Sequence, residues 1–186
     1  LGSLVYSGGD DVLAFLPLPE AASCADDLRN TFARTMASAC GSMPADKRPT
    51  LSVGLGIGHV MESMGDLLAL GRQAEREAKR DRNSLAVIVD KRSGAMRTWR
   101  ATWSDDPVPA LQGAIALLQG RLPSRKVYEI ATTLARLPDP TATTEETWIR
   151  VLVLEIRRSL ARVEGGALRP EEVGLALDEE AGYGAL

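Results

Sequence analysis

Two adjacent carboxylates, Asp10 and Asp11, follow the glycines Gly8 and Gly9 between the apolar runs Leu4-Val5-Tyr6 and Val12-Leu13-Ala14-Phe15-Leu16. Glycine supplies positive φ at a tight turn and lets a backbone or a phosphate approach closely. Two carboxylates side by side repel each other, and a divalent cation relieves that repulsion. Magnesium suits the role, because it takes oxygen ligands and is commonly held by one or two carboxylates plus substrate phosphates. A strand-borne Asp pair therefore fits metal-assisted phosphoryl or nucleotidyl transfer. Asp and Gly are also good turn formers, so an ordinary solvated turn is the competing reading.

Three further groups fall within reach of such a site. Thr50-Leu51-Ser52-Val53-Gly54 puts a hydroxyl and a glycine on a later strand. On a helix of 100° per residue, Arg72, Arg76 and Lys79 share one flank while Leu67, Leu70, Ala74 and Ala78 share another. Such a basic stripe is usually a solvated face, but Lys79, near the helix end, can reach triphosphate oxygens as a point charge. Lys91-Arg92-Ser93-Gly94 forms a polar loop after the last apolar strand. His59 is the only histidine, which excludes multi-histidine metal centres, and two cysteines exclude a Cys-rich zinc site.

These residues need a scaffold, and the apolar patterning supplies one. Gly-Gly-Asp-Asp between two short apolar runs is a strong hairpin signal. Ala21, Ala25, Leu28, Phe32, Met36 and Ala39 recur at helical spacing, predicting a helix of about 20 residues. A third strand is expected over 51–57, a second helix over 64–80, and a fourth strand over 85–89. The fold class is α+β, with the helices on one sheet face. Residues 1–104 form this part, and 105–186 are expected to form an all-α domain with helices over 109–118, 124–137 and 145–163. A short helix over 170–177 is expected beyond the breaks at Pro138-Asp139-Pro140 and Gly165-Gly166.

The chain has 186 residues, 45% apolar and 25% charged, so it is globular and long enough for one or two cores. Residues 1–104 carry 13 Lys and Arg against 12 Asp and Glu, and 105–186 carry 9 against 13. The overall charge of −3, with no aromatic-interleaved basic patch, gives no support to direct nucleic-acid binding. Cys24 and Cys40 are expected to be small buried residues in a reducing cytoplasm. No apolar run approaches the ~20 residues that span a bilayer, and no secretory signal is visible. The chain opens with Leu1 on an expected strand, so it is expected to be an excerpt of a longer protein.

In order and spacing, Val5-Tyr6-Ser7-Gly8-Gly9-Asp10-Asp11-Val12-Leu13-Ala14, Leu51-Ser52-Val53-Gly54 with Ile57-Gly58-His59, Ala74-Glu75, Ala78-Lys79 and Lys91-Arg92-Ser93-Gly94 form a set. That set resembles the C-terminal palm domain of the large subunit of type III CRISPR–Cas effector complexes, most like the III-B branch. The resemblance covers about residues 3–103, the helical remainder fitting by position and type only. It implies a partial ferredoxin-like, nucleotide-cyclase-type palm that converts ATP into cyclic oligoadenylates with Mg2+ or Mn2+ when the complex binds target RNA. Asp10 and Asp11 would then be the metal ligands, and Gly8 and Gly9 would make room for the nucleotide. Ser52 would line the pocket and Lys79 would meet the triphosphate. Partners by the same resemblance are the other effector subunits, the guide RNA and the target RNA.

Two features depart from a complete palm of that kind. It begins with a strand bearing another metal-binding Asp and then a helix, whereas this chain starts at the second strand. The resemblance thus implies that the missing piece supplies a metal ligand and a central strand, and that this stretch alone is inactive. The resemblance does not extend to the family's N-terminal nuclease domain. A non-catalytic scaffold docking neighbouring subunits is the alternative. A diguanylate-cyclase-type signalling domain shares the palm, but Asp11 is followed by Val12 where those enzymes prefer Glu then Phe.

Overall fold

In the computed structural model, which describes residues 2–92, 94–120, 122–137 and 145–161, the Gly-Gly-Asp-Asp segment folds as the expected hairpin. Strand β1 (Ser3–Gly8) runs antiparallel to β2 (Asp11–Phe15), with Gly8 opposite Asp11. Only Gly9 and Asp10 remain for the turn. Gly9 has a φ of 61°, the left-handed conformation that a two-residue turn with glycine at its first position requires. The register slips between Leu4 and Tyr6, a bulge that bends the strand. Leu4, Val5, Tyr6 and Val12 are all exposed.

Helix α1 (Leu18–Ala39) follows, with Pro19 in its first turn, where a missing backbone N–H is harmless. Strand β3 (Val53–Ile57), helix α2 (Met64–Asp81) and strand β4 (Ser84–Val89) then make a parallel β-α-β unit. Ser63 caps α2 by accepting from the backbone N–H of Asp66 at 3.1 Å. Past the other end, Arg82 and Asn83 adopt positive φ and turn the chain into β4. The seam between α2 and the sheet is closed by small residues. Gly54 pairs with Ala86 and Gly56 with Ile88, and Leu70, Ala74 and Ile88 form a buried cluster. A Cβ on Gly54 would overlap the backbone at Glu75, and one on Gly56 would come within 2.6 Å of the Gly71 nitrogen. Ser84, fully buried, donates its hydroxyl to the Ala78 carbonyl at 2.5 Å.

The architecture is α+β followed by helices, as expected, with three differences of detail. A fifth strand, β5 (Arg97–Thr102), lies antiparallel to β4. Its sequence, Arg-Thr-Trp-Arg-Ala-Thr, carries too little apolar alternation to announce a strand, and its ladder to β4 supplies the missing signal. The strands do not form one sheet: β1–β2 is a two-stranded ribbon, and β3-β4-β5 a separate three-stranded sheet. The far edge of β2 and the edge of β3 opposite β4 have no ladder partner among the described residues. The cysteines are also placed differently. Cys24 is exposed and Cys40 half-buried, both as free thiols, because the buried stripe of α1 runs through Ala21 and Ala25.

The chain divides into a unit of Leu1–Val108 and a unit of Pro109–Leu186. Helices α3 (Pro107–Gly120), α4 (Ser124–Leu134) and α5 (Glu145–Leu160) follow the sheet. Leu152, Ile156 and Leu160, one helical turn apart, meet Leu122 in a buried cluster with Ile130, Leu137 and Trp148 against it. The breaks at Pro138-Asp139-Pro140 and Gly165-Gly166, and the helix expected over 170–177, lie outside the described residues. No described helix is long and apolar enough to cross a membrane.

Candidate functional site

The site begins at the hairpin tip. Asp10 occupies the turn and Asp11 the first position of β2, and both are exposed. Nothing lies within 4 Å of where a Gly9 side chain would be, so this glycine leaves open space beside the carboxylates. Gly8 differs. The space of its missing Cβ is filled by the Tyr6 hydroxyl, 2.8 Å away, so Gly8 makes room for a neighbour on its own strand.

Helix α2 carries the second component. Lys79, in its last turn, keeps an exposed ammonium and pairs with Glu75 one turn earlier, Nζ to Oε1 at 2.5 Å. Its pKa is raised above 10.5, chiefly by the hydrogen bond and charge of Glu75, and further by the charges of Asp11 and Asp10. The lysine therefore lies in the electrostatic field of both hairpin carboxylates, although hairpin and helix are far apart in sequence. On the other side of the helix backbone, Gly54 lets α2 sit directly on β3 at Glu75. Ser52 is half-buried immediately before β3. No hydrogen bond links it to the hairpin among the described residues.

The other sequence candidates take local roles. The Nδ1 atom of His59 accepts from the backbone N–H of Met61 at 3.1 Å, and its carbonyl accepts from Glu62, shaping the turn into α2. Arg92 reaches across to Glu62 at 3.3 Å, tying the loop after β4 to that same turn. Arg72 and Arg76 are exposed, as a solvated stripe would be, and Arg80 pairs with Glu77 at 3.0 Å. A cleft of about 240 Å³ lies away from the hairpin, between the start of α2 and the ends of β3 and β4; Glu62, Asp66, Leu67, Asp90 and Met96 line it.

Glu75, like His59, is a residue of the quoted set to which the sequence assigns no role. Its signal was present, because a Glu four residues before a Lys on a helix is the favourable orientation for an ion pair. Two exposed carboxylates with open space at Gly9 suit a hard divalent cation that also takes phosphate oxygens. Among the described residues no group of three or more His, Cys, Asp or Glu side chains is placed to hold a metal. Asp10 and Asp11 could hold such a cation as two of its ligands.

Compared with known protein families, residues 1–86 match the one described as Cas10/Cmr2, second palm domain. The match is to the family as a whole and does not single out the III-B branch. No curated protein and no solved structure matches the chain.

Proposed function

We propose that residues 1–86, which match the family described as Cas10/Cmr2, second palm domain, come from the C-terminal part of a type III CRISPR effector subunit and that their hairpin forms part of a nucleotidyl-transfer site. In the full-length protein that site converts ATP into cyclic oligoadenylates once target RNA is recognised. The observation that carries the proposal is the exposed Asp10–Asp11 pair at the tip of a glycine-turned hairpin within the matched residues. A divalent ion, Mg2+ or Mn2+, would be held by Asp10 and Asp11 and would supply charge neutralisation of the triphosphate. Lys79 orients the phosphate tail, and the open space at Gly9 admits the nucleotide. Ser52 is assigned to the pocket wall by resemblance. Other effector subunits, guide RNA and target RNA are the partners this reading requires.

The decisive experiment replaces Asp10 and Asp11 together by Ala in the full-length protein within its assembled, RNA-activated complex. Cyclic oligoadenylate, measured by mass spectrometry, is expected to disappear while the complex still assembles. Undiminished product would overturn the proposal. The second reading is a non-catalytic scaffold docking neighbouring subunits. It requires that the unsubstituted complex also make no product.

A further inference from the structure

Lys79 is not free to meet a phosphate, and the reason is built into the helix. Its ammonium lies 2.5 Å from the Glu75 carboxylate, while the neighbouring Arg72 and Arg76 take no acidic partner among the described residues and Arg80 pairs with Glu77. The carboxylate that holds it starts from a fixed point. The backbone nitrogen of Glu75 and the carbonyl carbon of Ala74 lie where a Gly54 side chain would be, so α2 cannot move closer to β3. Ala74 and Ala78, both fully buried, bracket that contact.

Resting on the nucleotide-site reading above, we propose that Glu75 is a positioning residue for Lys79. It holds the ammonium beside the hairpin in the empty site and competes with the nucleotide's triphosphate for it. Asp10 and Asp11 add, more weakly than Glu75, to the negative field at the lysine. A triphosphate arriving with its cation brings several negative charges and displaces a single carboxylate that is 40% exposed. No bond is made or broken in this exchange. Lys79 trades one anionic partner for another, and Glu75 is released to water.

The test uses the full-length protein in its RNA-activated complex, with Mg–ATP as the probe and the variants Glu75→Gln, Lys79→Ala and the double variant. Glu75→Gln is expected to lower KM for ATP about twofold, the scale of a half-exposed i,i+4 pair, and to leave kcat unchanged. In the Lys79→Ala background the same substitution is expected to change nothing, and raised salt is expected to shrink the twofold gain. A KM that stays level or rises in Glu75→Gln overturns the proposal. So does an equal gain in the Lys79→Ala background, which would mean that Glu75 repels the nucleotide directly. Glu75→Asp, which keeps the charge on a shorter arm, is expected to fall between parent and Gln. The failures are distinguishable: if Lys79→Ala alone leaves KM unaltered, the roles of Lys79 and Glu75 fall, whereas the nucleotide-site reading falls only if replacing Asp10 and Asp11 leaves product undiminished.

Discussion

At the scale of single residues, one exposed ion pair and one buried hydroxyl show how local chemistry is settled, and among the described residues no buried polar side chain lacks a partner. Lys79 titrates above 10.5 because Glu75, and then Asp11 and Asp10, favour its charged form. A lysine whose folded pKa is raised contributes its stability fully below 10.5 and loses it as pH climbs through the raised value. Glu75→Gln is therefore expected to bring the Lys79 titration back down, read from the side-chain carbon shifts by NMR. An unchanged midpoint would show that the pair is not populated in solution. Ser84 answers a different need. Its hydroxyl satisfies the Ala78 carbonyl near the end of α2 in a fully buried position. Ser84→Ala removes that hydrogen bond and is expected to cost about 0.5–1.5 kcal/mol, measured by urea unfolding.

At the scale of elements, the strand–helix seam does most to set the site. Glycines at 54 and 56 let α2 ride directly on the backbone of β3, and the two sides of that contact respond oppositely to an added methyl. Gly54→Ala drives a Cβ into the helix backbone. It is expected to destabilise the fold by about 1–3 kcal/mol or more and to displace Lys79 with the helix. Gly71→Ala, on the helix, meets nothing within 4 Å. It is expected to stabilise by about 0.5–1 kcal/mol through helix propensity alone. Thermal midpoints of the two variants decide the matter, and two shifts of the same sign would contradict the seam. The glycines were visible in the sequence as small residues alternating along a strand. Their partner was not, because a period of two says which residues share a face and nothing about what covers it.

At the scale of the whole chain, two units are built on different principles, a glycine-closed sheet and a leucine-closed set of helices. Leu152 is 3% exposed in the helical cluster. Leu152→Ala is expected to destabilise that unit by about 2–5 kcal/mol, followed through the fluorescence of Trp148 packed against the cluster. A negligible shift would mean the cluster is not a core. The sequence by itself determined the hairpin, the long helices, the α+β class and the Asp pair, because each rests on local turn chemistry or on periodicity within one segment. It also carried the Glu75–Lys79 pair, since both partners lie on one helix. Only the tertiary structure decided that β5 is a strand, that the hairpin stands apart from the three-stranded sheet, and that Cys24 faces solvent. It alone brought Lys79 into the field of Asp10 and Asp11. These outcomes depend on ladder bonds, packing and charge across long stretches of chain, where neither propensity nor spacing carries a signal.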